Sequence, residues 1–316
     1  MKLAMMFPGQ GSQSVGMLAT LGAAEPLVLE TFAEASAVLG YDLWRLCQRG
    51  PEERLAETER TQPVMLAAGV AVWRAWHRRG GRAPDMLAGH SLGEYSALVC
   101  AGSIDFAAAT ELVRFRGQAM QRAVPAGTGA MAAILGIGDA DVESACVEAA
   151  QGGVVQPVNY NSPGQLVIAG DAGAVARAIE ACKARGAKRA VALPVSVPAH
   201  SALMRPAAEE LRVRLQAVEV RVPVVRVFAF DGGLHDTPAV IRDGLYRQLF
   251  NPVRWSAIVA RMTGEGARQL IECGPGKVLA GLARRAPGGR ELAIHAIDSA
   301  DTLEAALAAA AGGDEP

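Results

Sequence analysis

The sequence predicts an α/β protein, a parallel sheet covered by helices, with a smaller module of strands and helices set into it. Three observations lead there. Short apolar runs of strand length alternate with segments of helical periodicity in the first and last thirds of the chain. The pentapeptide Gly89-His90-Ser91-Leu92-Gly93 sits between a strand candidate and a helix candidate. From Gly129 onward the order becomes strand, helix, strand, strand, helix, strand.

Taken in order, Leu3 to Phe7 reads as a buried strand that ends in the turn Pro8-Gly9-Gln10-Gly11. Helical periodicity follows over Leu27 to Leu39, Gln62 to Arg79 and Phe106 to Ala123; Gly40 and Gly80 close the first two. Between the last two lie the strand-sized run Met86-Leu87-Ala88 and a helix from Leu92 to Ala101, stopped by Gly102. A strand between helices favours parallel, βαβ-type architecture. The next strands are Met131 to Leu135, Val154 to Val158, Gln165 to Ala169 and Arg189 to Leu193, with helices Asp139 to Ala150 and Ala172 to Arg185 among them. That order is the ferredoxin-like pattern, completed in about 65 residues.

Beyond Pro194 and Pro198, Pro206 to Val218 fits an amphipathic helix with proline in its first turn. Val224 to Phe230 reads as a strand, Val240 to Leu249 and Val253 to Thr263 as helices, and Gln269 to Ile271 as a strand running into Gly274-Pro275-Gly276. Thr302 to Ala311 closes the chain as a helix, with Gly312 to Pro316 a frayed end. The expected division is a catalytic domain of residues 1–126 and 196–316 around an inserted subdomain of residues 127–195.

The bulk composition excludes several classes. Thirty-one Lys and Arg against 32 Asp and Glu leave a net charge of -1, so there is no global field to gather nucleic acid or an anionic membrane. No stretch reaches the ~18 apolar residues of a membrane span, and the N-terminal apolar run is too short for a signal-peptide core. The five cysteines, Cys47, Cys100, Cys146, Cys182 and Cys273, form no CxxC pair for zinc or redox chemistry. The expectation is a cytoplasmic protein with free thiols.

The GxSxG spacing has a mechanical cause. A turn that lifts a serine sharply out of a strand into a helix leaves no room for side chains two residues before and two after it, while the helix start offers free N–H groups to an oxyanion. The bare pattern is weak, and the strand-turn-helix context strengthens it. The competing reading is a tight structural turn. Serine needs a base to take its proton, and the chain has five histidines. His90 adjoins Ser91 but is expected to point away from it. His77, beside Arg78 and Arg79 at a helix end, suits a solvated role. His235 lies in an Asp-Gly-Gly loop, and His295 alternates with apolar residues as a half-buried strand residue would. His200, in a rigid segment after Pro194 and Pro198, remains the favoured candidate, and it follows the serine in chain order as in α/β-hydrolases.

Five segments together carry more information than GxSxG. Phe7-Pro8-Gly9-Gln10-Gly11-Ser12-Gln13, Gly89-His90-Ser91-Leu92-Gly93-Glu94, Asn159-Tyr160-Asn161-Ser162-Pro163-Gly164-Gln165, Val197-Pro198-Ala199-His200 and Gly274-Pro275-Gly276-Lys277 resemble, in order, the successive signatures of malonyl-CoA:acyl carrier protein transacylases. The resemblance implies an α/β-hydrolase-like core with an inserted ferredoxin-like subdomain. It implies that Ser91 is acylated, that His200 is its base, and that the backbone carbonyl of Gln248, in place of a carboxylate, orients the imidazole. It implies an oxyanion hole from the N–H groups of Gln10 and Leu92, and an Arg116 that grips the free carboxylate of malonyl. The partners implied are malonyl-CoA and acyl carrier protein, with no metal or other cofactor. Ala199 departs from the pattern, where a larger or hydroxylated residue is expected, and bears on discrimination against branched acyl groups.

The role implied for Arg116 has a physical basis of its own. Malonyl differs from acetyl by a carboxylate, and a guanidinium fork binds that group bidentately. Arg114 lies about 200° away around the same helix, so at most one of the two faces a cleft. Three rival readings share parts of this pattern: a sister transacylase serving a polyketide synthase or malonate decarboxylase, a serine hydrolase, and a non-catalytic acyl-CoA-binding protein.

Overall fold

The computed structural model describes residues 1–195 and 197–311. Residue 196, where the second catalytic segment is expected to begin, and the frayed end at 312–316 lie outside the described residues. The strands, in chain order, are β1 (Lys2–Phe7), β2 (Met86–Gly89), β3 (Gly129–Leu135), β4 (Val155–Ser162), β5 (Gln165–Asp171), β6 (Arg189–Ala192), β7 (Arg226–Phe228), β8 (Ala267–Cys273) and β9 (Ala293–Ile297). They form two sheets.

The larger sheet has the order β7-β2-β1-β8-β9, and every pairing in it is parallel. Its middle strand explains why. Leu3 to Phe7 are fully buried, so β1 is covered on both faces, as parallel sheets require. Alternate side chains feed different cores: Leu3, Met5 and Phe7 join one apolar cluster, while Ala4 and Met6 join a second. Helices Thr58–Arg78 and Phe106–Ala123 pack in the first, and Trp255–Gly264 and Val278–Arg285 in the second. From β1 the chain passes to β2 on one side and later to β8 on the other, so β1 flanks a topological switch point. A crevice opens beyond strand C-termini at such a point, and ligands of open α/β sheets bind there.

The smaller sheet is antiparallel, with order β4-β5-β3-β6. Within residues 129–192 the fourth, first, third and second strands therefore lie side by side, which is the ferredoxin-like arrangement read from the sequence. Helices Asp139–Ala150 and Ala172–Ala184 cover one face and enclose a separate core around Ile134, Leu166 and Ile168. The other face presents Met131, Val158, Val167 and Ala169, against which Ala199 packs. Backbone bonds join the two units: Tyr160 N–H donates to Val253 carbonyl at 2.9 Å, and Val253 N–H to Val158 carbonyl at 2.9 Å.

Most expected elements stand where the periodicity places them, with instructive exceptions. β4 runs on to Ser162, past the expected Val158, because Pro163-Gly164 turns tightly enough for pairing with β5 to continue to Ser162 and Gln165. β7 keeps only Arg226–Phe228 of the expected Val224 to Phe230, the part that pairs with β2 at the sheet edge. Helices Ala19–Ala24, Leu43–Arg49, Glu52–Ala56 and Val278–Arg285 are not among the expected elements. Among the described residues no helix is long and apolar enough to cross a membrane.

Candidate active site

The β1/β2 register matches Phe7 with Gly89, so the loops leaving both strands start side by side. Between β2 and the helix Gly93–Cys100 the chain turns at Ser91, whose φ is 53°. The glycine spacing has the cause expected of it. A Cβ on Gly89 would lie 1.9 Å from the Gly93 carbonyl carbon, and a Cβ on Gly93 would lie 2.0 Å from the Phe7 carbonyl oxygen. The obstructing atoms are backbone and cannot swing aside. The β1 loop is laid equally close, since a Cβ on Gly9 would come within 2.5 Å of the His90 carbonyl oxygen and 3.6 Å of Ser91 Cβ. Gln10 therefore follows the elbow's nearest neighbour, and Leu92 is the cap of the helix it enters.

Ser91 Oγ lies 2.7 Å from His200 Nε2. His200 Nδ1 lies 2.7 Å from the main-chain carbonyl of Gln248, the last residue of the helix Pro238–Gln248. A carbonyl only accepts, so the Nδ1 proton donates to it, and Nε2 is left with a lone pair facing the serine hydroxyl. His200 is 2% exposed. Burial pushes its imidazole down to about 3, helped by the nearby Arg116 guanidinium, so it stands neutral.

Arg116 is held on the buried face of the helix Phe106–Ala123 and is 1% exposed. One guanidinium nitrogen donates to Gln62 Oε1 and the other to Gln248 Oε1, each at 2.9 Å. The Tyr95 ring lies beneath, its centroid 5.6 Å from Arg116 Cζ. Both acceptors are neutral amides, and among the described residues the Arg116 Nε has no hydrogen-bond partner. Desolvation lowers the guanidinium below its usual value, and an arriving carboxylate would restore a counter-charge. Arg114, on the opposite side of the helix, reaches the Leu39 carbonyl instead.

The remaining histidines separate as expected in three cases. His90 turns from Ser91 and meets Asn161 Oδ1 at 2.9 Å, with Trp255 against its ring at 5.5 Å. His77 is exposed and bonds the Trp73 carbonyl, and His295 sits half-buried in β9. His235 differs. Its loop carries it inward to 3% exposure, where Nε2 meets Glu94 Oε1 at 2.5 Å. Three polar residues of the site, Gln62, Glu94 and His235, were not singled out by their sequence context. Only the position of Glu94, three residues after Ser91 and in the first turn of the following helix, carries a local signal.

The sequence matches the acyl transferase domain family over residues 5–290. It is 57% identical over 307 residues to the malonyl CoA-acyl carrier protein transacylase of Escherichia coli strain K12, covering 97% of this chain and 99% of that one. Identity to the corresponding protein of Bacillus subtilis strain 168 is 43% over 311 residues, with 97% and 96% covered. Among solved structures, a malonyl-transacylase in complex with a type II PKS acyl-carrier protein superposes with a TM-score of 0.96 at 55% identity, covering 98% of this chain and 100% of that one. An acyl carrier protein S-malonyltransferase from Vibrio cholerae gives 0.93 at 56% identity, covering 96% and 99%. By these matches, over nearly its whole length, this chain belongs to the malonyl CoA-acyl carrier protein transacylase family of acyl transferases.

Proposed function

We propose that the chain moves a malonyl group from malonyl-CoA to the phosphopantetheine thiol of an acyl carrier protein, supplying fatty-acid synthesis. The observation that carries this reading is the 2.7 Å contact between Ser91 Oγ and a neutral His200 Nε2 beside the buried Arg116. His200 takes the Ser91 proton as Oγ attacks the thioester carbonyl, and the Gln10 and Leu92 N–H groups receive the oxyanion. The carbon–sulfur bond breaks, and the CoA sulfur leaves with the proton from His200. The carrier thiol then gives its proton to His200, attacks the serine ester, and Ser91 departs with that proton. Arg116 holds the malonyl carboxylate throughout. No step draws on a metal or other cofactor.

In this reading residues 127–195 form an inserted wall on the main body of 1–126 and 196–316. The working compartment is the cytoplasm, in keeping with the free cysteines among the described residues. A second reading, service to a polyketide synthase, is favoured by the relative solved with a type II PKS carrier. Intact-protein mass spectrometry with malonyl-CoA tests the chemistry: one malonyl mass is expected on the wild type and none on Ser91→Ala. A full adduct on the alanine variant removes Ser91 from the reaction. Competition between a fatty-acid and a polyketide carrier for the malonylated protein separates the two readings.

A further inference from the structure

Behind the site runs a buried polar chain that the reaction scheme leaves unused. His235 and Glu94 side chains are both fully buried, with Nε2 to Oε1 at 2.5 Å. The other Glu94 oxygen accepts from Gln248 Nε2 at 2.8 Å, and the same nitrogen donates to the Ser91 carbonyl at 3.0 Å. Gln248 Oε1 accepts from Arg116 at 2.9 Å, while its main-chain carbonyl receives His200 Nδ1. One residue thus touches the elbow, the base and the guanidinium.

The chemistry fixes which way the Gln248 amide points. A guanidinium only donates, so the amide oxygen must face Arg116 and the N–H2 must face Glu94 and the Ser91 carbonyl. A flipped amide would set donors against a buried cation. Glu94 supplies the acceptor that holds the correct orientation, and His235 seats Glu94. The His235 ring also lies against the helix that ends in Gln248, since a Cβ on Gly244 would come 2.7 Å from its Cε1.

We propose that Glu94, seated by His235, is a positioning residue that clamps Gln248, so that one glutamine sets both the Arg116 fork and the carbonyl orienting His200. This rests on the acyl-serine reading above. The test is a double-mutant cycle on the rate of Ser91 malonylation, followed by quenched-flow mass spectrometry with malonyl-CoA. Glu94→Ala should slow acylation by about 10-fold to 10²-fold, the scale of a small displacement of reacting groups. Glu94→Gln keeps an acceptor for the Gln248 N–H2 and should run within ~3-fold of wild type, the scale of one retained neutral hydrogen bond. Gln248→Ala removes the amide but keeps the backbone carbonyl, and in that background Glu94→Ala should have no further effect. A purely structural Glu94 would slow both backgrounds by the same factor, and that additivity overturns the proposal. If Glu94→Ala is not recovered folded, His235→Leu replaces it in the same cycle, with the same two outcomes. A wild type that takes no malonyl overturns the acyl-serine reading and this proposal with it; a wild type that does, with additive effects, overturns this proposal alone.

Discussion

Ser91 and His200 meet side chain to side chain at 2.7 Å, and both hold left-handed backbones, with φ of 53° and 64°. A non-glycine residue in that region costs on the order of 1–3 kcal/mol, so two in contact persist only where the surroundings over-determine them. Here Ser91 is confined by the two elbow glycines, and His200 by the Gln248 carbonyl. The strained pair holds the Ser91 oxygen against the His200 lone pair before substrate arrives, as the proposed acylation requires.

The elbow yields the first prediction. Gly93→Ala would drive a methyl into the Phe7 carbonyl oxygen of β1, which neither a rotamer change nor a small shift relieves. Overpacking against backbone commonly costs 1–3 kcal/mol or more, roughly the scale expected here. Urea denaturation should show that loss along with loss of acyl transfer. Wild-type stability together with wild-type acylation would mean that the turn is looser than described.

The second prediction separates the two histidines near the serine. His200→Ala should lower malonyl transfer by ~10²-fold to ~10⁴-fold, the usual effect of losing a general base. His90→Ala removes the Asn161 bond, which joins the elbow to β4 of the smaller sheet, and the edge contact with Trp255. It should cost about 1–3 kcal/mol of stability while a folded sample still acylates. Equal catalytic losses in two folded variants would contradict the geometry.

How far these residues were legible depends on how local their signals are. The elbow and the ferredoxin-like order announce themselves through glycine spacing and strand-helix alternation within short windows. Helix Val278–Arg285 lacks a local start signal, because it is capped from a distance: Glu272, in β8, accepts from the Leu279 and Ala280 N–H groups at 3.1 and 2.8 Å. The Gly274-Pro275-Gly276 run between them reads only as a turn. His235 was masked in the same way. Its neighbours Asp231, Gly232 and Gly233 look solvated, and the partner that draws it inside, Glu94, is 141 positions away in sequence. Gln62 reads as one more position on a helix face until Arg116, 54 residues later, folds onto it.

The third prediction concerns pH. In the proposed mechanism the neutral imidazole is the active form, and a histidine of ordinary pKa near 6.5 loses it on acidification through that value. His200 is pushed down to about 3 by burial and by Arg116, so its acid limb is displaced well below pH 6.5. The kcat/KM for malonyl-CoA should stay level from about pH 8 down to about pH 5. In Arg116→Ala one of the depressing influences is gone, so the limb should move toward higher pH. A wild-type limb centred at the ordinary histidine value would show that the base is not in the dry setting described.

The last prediction turns on the carboxylate that malonyl has and acetyl lacks. Arg116 is fully buried, its hydrogen-bond acceptors are two neutral amide oxygens, and among the described residues no carboxylate bonds it directly, which leaves that contact to an arriving anion. With Arg116→Ala the malonyl carboxylate would enter the same dry crevice unpaired. Leaving one member of a buried charge pair alone costs on the order of 3–5 kcal/mol, so malonyl transfer should fall by ~10²-fold to ~10⁴-fold. Acetyl transfer should not fall in parallel, because acetyl-CoA presents no charge at that end and gains space where the guanidinium stood. The Gln62 and Gln248 oxygens lose their donor in the variant, which costs stability and acts on both substrates alike. The informative quantity is therefore the ratio of malonyl to acetyl acylation of Ser91, measured on folded protein by intact mass. A ratio unchanged from wild type would make Arg116 a structural residue, and the malonyl carboxylate would then have to be met by another group at the crevice.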